Sequence, residues 1–288
     1  MYWLRSNSTS LALWALLACY AAARVLQAFA GAVPIRVIVL FHVLPPALFA
    51  LIHGAMRYRL WGIAAFTAIC LLVGNGFENL SILTGFPFGH YYFTDLMGPR
   101  VFHVPILLGL AYVGMGYLSW TLGCLTISGA RGIIAGARLV TVPVTAAFVM
   151  VAWDLSMDPV WSTIMHCWIW LHGGVYFGVP VSNFLGWYLT VYVIYQSFAL
   201  YLWERPTDRR PLPSGYWRMA ILFYGVSAAG NLALIPRAGL SFVSDPAGAR
   251  WRVGSIVAAS ALVSIFVMGA FALFAWKRLG VQEVSPSR

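Results

Sequence analysis

The sequence predicts an all-α protein, a polytopic bundle of about eight transmembrane helices that forms one integral membrane domain over residues 1–288. Of the 288 residues, 61% are hydrophobic and only 9% are charged, whereas ordinary soluble domains carry about 25% charged residues. Mean hydropathy is +0.81. Apolar runs of about 20 residues, the length that a helix needs to cross the hydrocarbon core, recur along almost the whole chain. No remaining stretch could form a separate soluble core.

The predicted spans follow one another through short connections. The first carries Arg24 near its end and is expected to remain as an uncleaved helix. Pro45, Pro46 and Pro143 lie inside the second and fifth spans, where neighbouring helices can satisfy the carbonyls that proline frees. Segment 160–172 is apolar but too short to cross, and its tryptophans favour a re-entrant or interfacial position. The eight spans are 11–30, 36–54, 60–80, 104–127, 132–153, 183–203, 217–235 and 251–276.

The net charge of +10 comes from arginines that are spread one to three at a time between the apolar runs. This pattern is typical of membrane loops and lipid headgroup contacts, and it argues against a nucleic-acid groove. Cytoplasmic loops carry the excess of Arg and Lys, so we expect a cell-membrane protein with both termini cytoplasmic. The C-terminal ends of spans three and five then lie on the same, non-cytoplasmic side. The residues assigned to the cytoplasmic side are Arg5, Arg57, Arg59, Arg131, Arg205, Arg209, Arg210, Lys277, Arg278 and Arg288.

Three of the eight acidic residues lie in two polar and aromatic stretches beside apolar spans. Glu78 is in "GNGFENLSILTGFPFGHYYF", and the other two are in "WDLSMDPVWSTIMHCWIWLHGGVYFGVPVSNFLGW". Asp154 and Asp158 are four residues apart, which places them on one face of a continuous helix, and Pro159 limits that helix. Acids at membrane depth are costly and tend to be functional. We therefore expect one shared site, the alternative being that each acid caps a helix or pairs with a cation such as Arg100.

The sequence predicts no metal ligands and no cofactor. The six histidines form none of the HxxH or HxxHH clusters of membrane di-iron enzymes, and His166 and His172 are too far apart to share a helical face. The four cysteines lie singly within apolar runs, without CxxC spacing. There is no GxGxxG motif between a strand and a helix, and no nucleophile elbow.

Aromatic residues are expected to surround the three acids. Some must belong to the aromatic belt at the membrane interface. A carboxylic acid that is kept neutral by apolar surroundings can protonate an alkene, and aromatic faces stabilise a nearby cation by about 0.5–2 kcal/mol each. The two stretches therefore suit carbocation chemistry. The candidate wall consists of Phe77, Phe86, Phe88, Tyr91, Tyr92, Phe93, Trp153, Trp161, Trp168, Trp170, Tyr176, Phe177 and Trp187.

The segments "FENLSILTGFPFGHYYFTDLMGPRVFHVP" and "WDLSMDPVWSTIMHCWIWLHGGVYFGVPVSNFLGWYL" strongly resemble a membrane family of carotenoid biosynthesis proteins. Its characterised members are CruF-type carotenoid 1,2-hydratases, including bisanhydrobacterioruberin hydratases. The resemblance covers about residues 60 to 205, and the acids and Pro159 occupy the family's acidic motif positions. It implies hydration of the terminal C1=C2 bond in an acyclic ψ-end of a γ-carotene-like or lycopene-like substrate, giving a tertiary alcohol without a redox cofactor.

The implied partners are a carotenoid within the bilayer and membrane lipid, with other carotenoid-pathway enzymes as further candidates and nucleic acid excluded. The competing hypothesis is a non-catalytic carotenoid-binding, isoprenoid-binding or transport protein, in which the acids would relay protons. Inverted repeats of broken helices would favour transport, and the sequence contains no internal repeat.

The hydration that the resemblance implies suggests a chemical role for each of the three acids. Hydration at the more substituted carbon requires protonation of C2 and capture of a C1 cation by water. Two neighbouring carboxylates do not both ionise cheaply, so we expect Asp158 to be the neutral proton donor and Asp154 to orient it. Glu78, supported by Asn75, Asn79 or His103, would hold and deprotonate the water. The residues expected to bind substrate or water are Asn75, Asn79, His90, Tyr91, His103, Trp153, Trp161, His172, Tyr176, Phe177 and Asn183.

Overall fold

The computed structural model describes residues 7–132, 134–205 and 212–284, and these are mostly helical. Arg5, Arg209, Arg210 and Arg288, which contribute to the predicted orientation, lie outside the described residues. The α-helices are α1 (Asn7–Leu26), α2 (Ile35–Thr84), α3 (Ile106–Ser128), α4 (Arg138–Pro159), α5 (Val181–Glu204), α6 (Ser214–Leu232), α7 (Val253–Val263) and α8 (Gly269–Val284).

Five helical segments in the described residues are long and apolar enough to cross a membrane, rather than the eight that the sequence predicted. Helices α5 and α6 contain 24 and 19 residues but are not among the five, because polar residues and aromatic residues with polar groups lower their mean hydropathy. A helical membrane bundle is therefore confirmed, whereas the number of crossings remains a prediction. The five segments are Ser8–Phe29, Ile35–Thr84, Ile106–Ser128, Arg138–Ile164 and Val253–Gly280.

Helix α2 consists of two arms that are separated by a sharp reversal. Arg59 has φ 58° and ψ 179°, which is outside helical geometry. Gly54 lies directly against the side chain of Ile63, although these two residues would be about 13 Å apart along a straight helix. The chain therefore folds back at Arg59, and the predicted spans 36–54 and 60–80 correspond to the two arms.

Helix α3 is the central element of the bundle. In its most apolar window 83% of the residues are buried, the largest share of the five segments. Gly114 of α3 lies against the backbone of Pro46 and Ala47, and Gly123 lies against Ala146 of α4. Small residues permit these close helix approaches within a membrane bundle.

The predicted all-α fold also contains three short antiparallel ribbons. They pair β1 (Tyr91–Phe93) with β4 (Trp168–Trp170), β2 (Arg100–Val101) with β3 (Val104–Pro105), and β5 (Phe242–Ser244) with β6 (Arg250–Arg252).

The segment predicted to be re-entrant or interfacial, residues 160–172, has two parts. Helix α4 ends at Pro159 and continues through one wide π-helical turn, Val160–Ile164, because proline cannot donate the regular helical hydrogen bond. Strand β4 follows, with Trp170 paired to Tyr91 and Trp168 paired to Phe93 of β1. This ribbon closes the end of the bundle where the acids lie.

Candidate active site

The three predicted acids come together where α2, α4 and α5 meet the β1–β4 ribbon. Glu78 is on the second arm of α2, and Asp154 and Asp158 are on the last turns of α4. Their exposed fractions are 3%, 0% and 1%. Such burial is costly unless hydrogen bonds compensate it, so the partners of each carboxyl group define the site.

Two phenols hold Glu78. The Tyr91 hydroxyl donates to Oε2, and the Tyr112 hydroxyl donates to Oε1 at 2.6 Å. The Tyr112 ring stacks on Trp187 with centroids 4.6 Å apart and packs against Gly74. Burial and the facing Glu78 carboxyl raise the pKa of Tyr91 well above its usual value, so its hydroxyl remains a donor at neutral pH.

Asn183 joins the two aspartates. Its side-chain amide donates to Asp154 Oδ2 at 3.1 Å and to Asp158 Oδ2 at 2.6 Å. The indole nitrogens of Trp168 and Trp170 donate to Asp158 Oδ1 at 3.0 and 3.4 Å. Asp154 Oδ1 is buried and has no hydrogen-bond partner within the described ranges. Asp158 is therefore fixed by three N–H donors, whereas Asp154 keeps one oxygen unused.

Arg100 does not pair with any of the three acids. Its guanidinium lies 3.0 Å from Asp95 in an exposed salt bridge and also donates to the Phe93 carbonyl at 2.7 Å. The alternative in which Arg100 neutralises a buried acid is therefore wrong.

A small cavity of about 20 Å³ separates Glu78 from Asp158. Such a volume has room for about one ordered water molecule. Aromatic rings form most of its wall, so a water held there would lie between two carboxyl groups in otherwise apolar surroundings. Its lining consists of Glu78, Phe88, Tyr91, Phe93, Leu108, Met157, Asp158, Trp168, Trp170, Asn183 and Trp187. We call this space the acid cavity.

A second cavity, of about 50 Å³, adjoins the acid cavity. Leu108, Met157 and Trp168 line both spaces. The predicted residues Trp153 and Trp161 line this second cavity rather than the first. Most of its wall is apolar, with Arg24 and His42 forming a polar corner. We call it the apolar cavity.

The three polar residues expected to support Glu78 lie elsewhere. Asn75, Asn79 and His103 line an open groove of about 720 Å³. The Asn75 amide donates to the Leu71 carbonyl at 2.9 Å, and Asn79 Oδ1 accepts from the backbone N–H of His103 at 3.1 Å. The hydrogen bonds of both asparagines thus go to nearby backbone groups. Tyr91 and Tyr112, instead of these residues, donate to Glu78.

Four other predicted residues line neither cavity. The rings of His90 and His172 pack edge to face, 5.8 Å apart. The Tyr176 hydroxyl donates to the Leu155 carbonyl at 3.2 Å, and burial, with Asp154 and Asp158 nearby, raises the pKa of Tyr176. Phe177 accepts a hydrogen bond at its carbonyl from Thr163. Tyr176 is therefore close enough to Asp154 and Asp158 to respond to their charge.

Sequence reasoning missed Tyr112, Leu108 and Met157. Tyr112 lies in the run "GLAYVGMG" of α3, whose small residues indicate only close helix packing. A phenol in a fully buried helix needs a hydrogen-bond partner, and this was the available signal. Leu108 and Met157 carry no chemical signal that separates them from other core residues.

Within the described residues no group of three or more His, Cys, Asp or Glu side chains is arranged to hold a metal ion. Cys19, Cys70, Cys124 and Cys167 are not in disulfides. The polar groups around the three acids are carboxyl, phenol, indole and amide groups.

The fold and this site define a helical membrane protein with buried acids beside an apolar cavity. Residues 35–243 match the sequence model of the family described as "Carotenoid biosynthesis protein". Because the match covers more than half of the chain, the protein belongs to this family, and the resemblance in the sequence is confirmed. No curated protein and no solved structure gives a significant match.

Proposed function

We propose that this protein is a carotenoid hydratase that adds water across the terminal C1=C2 bond of an acyclic ψ-end to give a tertiary 1-hydroxy carotenoid. The observation that carries the proposal is that Glu78 and Asp158 line the same water-sized aromatic cavity. The adjoining apolar cavity provides space for isoprenoid carbon. Membership of a carotenoid biosynthesis family supports a carotenoid of the bilayer as the substrate class.

The reaction begins with proton transfer from Asp158 to C2. The π electrons of the double bond form the new C–H bond and leave a tertiary cation at C1, which the faces of Trp168, Trp170 and Tyr91 stabilise by about 0.5–2 kcal/mol each. The cavity water attacks C1 through oxygen while Glu78 accepts one of its protons. The product gains one hydrogen at C2 and one hydroxyl at C1, without a redox change.

Asp158 is the better donor of the two aspartates because it lines the acid cavity and Asp154 does not. Asp154 acts as a positioning residue through Asn183, whose amide spans both carboxyl groups. After each turnover the proton resides on Glu78 and Asp158 is ionised. A new water in the cavity contacts both groups and returns the proton, and this proposed cycle uses no metal, flavin or nicotinamide.

The test is expression in a host that accumulates lycopene, followed by incubation of enzyme-containing membranes with unlabelled lycopene in deuterated water. We expect a carotenoid whose mass increases by one water in the host, and a product of the membrane incubation that carries one deuterium bound to C2. An empty vector and a folded Asp158→Asn variant are the controls. No mass gain with any ψ-ended carotenoid would exclude the hydratase and favour the binding or transport alternative.

The proposal includes the arrangement in the membrane. Eight crossings result if both arms of α2, α5 and α6 each span the bilayer beside the more apolar helices, which places both termini in the cytoplasm and the acid cavity near the opposite face. Membrane lipid then surrounds the bundle, and other carotenoid-pathway enzymes are candidate partners. Topology reporters should place residues 85–100 and 160–180 outside the cytoplasm. A cytoplasmic signal at both positions would overturn this arrangement.

A further inference from the structure

The apolar cavity has one cationic corner that the proposed chemistry does not use. Arg24, on α1, is 3% exposed. Its Nη1 donates to Gln27 Oε1 at 2.8 Å, and its Nη2 donates to Asn231 Oδ1. Nε is buried without a hydrogen-bond partner, and no carboxylate in the described ranges pairs with the guanidinium. A buried donor without a partner is costly, so this corner favours a ligand with an acceptor oxygen.

The corner is held in place by its neighbours. His42 Nε2 lies 3.2 Å from Gln27 Oε1, the same oxygen that accepts from Arg24. His42 Nδ1 lies 2.8 Å from the Ile38 carbonyl, and the His42 ring meets Trp161 edge to face at 5.1 Å. The Arg24 guanidinium therefore has fixed supports on two sides, and it has N–H groups beyond these two hydrogen bonds while its side chain lines the cavity.

The rest of the cavity suits branched hydrocarbon. Its other lining residues are apolar apart from the tyrosine hydroxyl and the indole nitrogens. Met157 stands between this space and the acid cavity, and methionine adapts readily to different shapes. A ligand that fits is thus an isoprenoid end that carries one oxygen. The apolar lining comprises Val39, Val43, Met97, Leu107, Leu108, Ala111, Met115 and Met157.

We propose that the apolar cavity is a subsite for the hydrated end group, in which Arg24 donates a hydrogen bond to the tertiary hydroxyl. This inference rests on the proposed function for the identity of the ligand. The unreacted ψ-end is a hydrocarbon and offers Arg24 no acceptor, whereas the hydrated end offers one. The subsite therefore discriminates product from substrate, and it draws the new hydroxyl away from the acids.

The test uses two small probes that differ by one water. Dihydromyrcene carries the same trisubstituted alkene as a ψ-end, and dihydromyrcenol is its tertiary alcohol. Binding of each probe to the purified full-length protein in detergent is measured by equilibrium dialysis against protein-free micelles. A hydrogen bond to a charged donor should make the alcohol bind at least about tenfold more tightly.

Arg24→Met should bring the ratio of the dissociation constants of the two probes, alkene over alcohol, close to one. Arg218→Met is the matched control, because Arg218 lies against the Trp276 ring and lines neither cavity, and it should leave the ratio unchanged. Ala111→Leu fills the cavity and should weaken both probes together. If Arg24→Met does not fold, Arg24→Lys keeps the charge without Nε and should lower the ratio by roughly threefold or more.

Equal affinity for the two probes in the wild-type protein, or an unchanged ratio in the folded Arg24 variant, overturns the subsite. The dialysis requires no turnover, so its result is separable from the hydratase assay. Loss of alcohol preference with lycopene hydration intact removes the subsite alone. An Arg24-dependent preference in a protein that never hydrates a carotenoid supports the subsite and overturns the proposed reaction.

Discussion

Two buried polar clusters lie along the central helix α3, and only one of them lines a cavity described above. At one, Tyr112 holds Glu78 at 2.6 Å. At the other, Tyr117 meets His53 Nδ1 at 2.7 Å and the Tyr216 hydroxyl at 2.6 Å. Both clusters are fully enclosed by the bundle, and each depends on a tyrosine of the same helix. Burial of polar groups is therefore common to both.

The second cluster is closed upon itself. His53 Nε2 lies 2.9 Å from the Tyr216 carbonyl, and the two rings stack with centroids 3.6 Å apart. Neither His53 nor Tyr117 lines the acid cavity or the apolar cavity. Satisfied networks of this kind fix the packing of a core. The acid cluster instead opens onto a cavity, and this opening distinguishes the candidate site from the closed cluster.

Removing the proposed proton donor of the acid cluster should slow hydration more than any other substitution. Asp158→Asn preserves the shape of the side chain and removes proton donation, so hydration should fall by at least about 10², the low end for a general acid and equal to about 2.7 kcal/mol. The measurement is initial rate on lycopene in membranes with equal amounts of folded protein. Asp154→Asn, one turn earlier, should be the milder variant because Asp154 does not line the cavity.

Near wild-type rates in both aspartate variants would contradict the assignment of the proton donor. The acid would then be Glu78, and Glu78→Gln would be the variant that abolishes turnover. This outcome would leave the contrast between the open and closed clusters in place and would exchange the roles within the open one.

Two further substitutions, each with a smaller expected effect, remove one hydroxyl from each cluster. Tyr112→Phe leaves Glu78 with one phenol donor and should slow hydration about tenfold, the value of one hydrogen bond to a charged group. Tyr117→Phe removes the partner of His53 Nδ1 and of the Tyr216 hydroxyl and should lower the free energy of unfolding by about 1–3 kcal/mol. Rates and thermal unfolding in detergent are measured on both proteins.

The diagnostic result is that the two substitutions separate. Tyr117→Phe should retain the wild-type rate in the fraction that is folded. If it instead slows hydration as much as Tyr112→Phe, the closed cluster communicates with the reaction, and access to a cavity no longer distinguishes the two.

The acids could be located from sequence because they are rare and costly in a membrane protein, whereas their partners could not. Asn75 and Asn79 are close to Glu78 along the chain, but successive helix positions point in different directions, and these amides lie in the outer groove. Tyr112 is distant in sequence and reaches Glu78 through the packing of α3 on α2. Contacts of this kind depend on tertiary structure, which local patterns do not encode.

Most helix ends were predictable to within about four residues, although α4 begins and ends six residues later than the predicted span 132–153, and the β1–β4 ribbon was not predictable. The reversal at Arg59 falls in the predicted connection between spans 36–54 and 60–80, since apolar length alone limits each arm. The segments "YYF" and "WIW" contain residues that favour strands, but three residues are too few for an alternating pattern to be recognised. Their aromatic content was therefore interpreted as interfacial.

The number of residues in β1 and β4 determines which side chains face the acid cavity. Tyr91 and Phe93, and opposite them Trp168 and Trp170, line the acid cavity because side chains alternate along a strand. Losing or gaining one residue in β1 would turn Tyr91 outward and bring Tyr92 inward, and the same change in β4 would turn both tryptophans away from Asp158. The two-residue interval between the tryptophans is therefore a geometric requirement of the acid cavity.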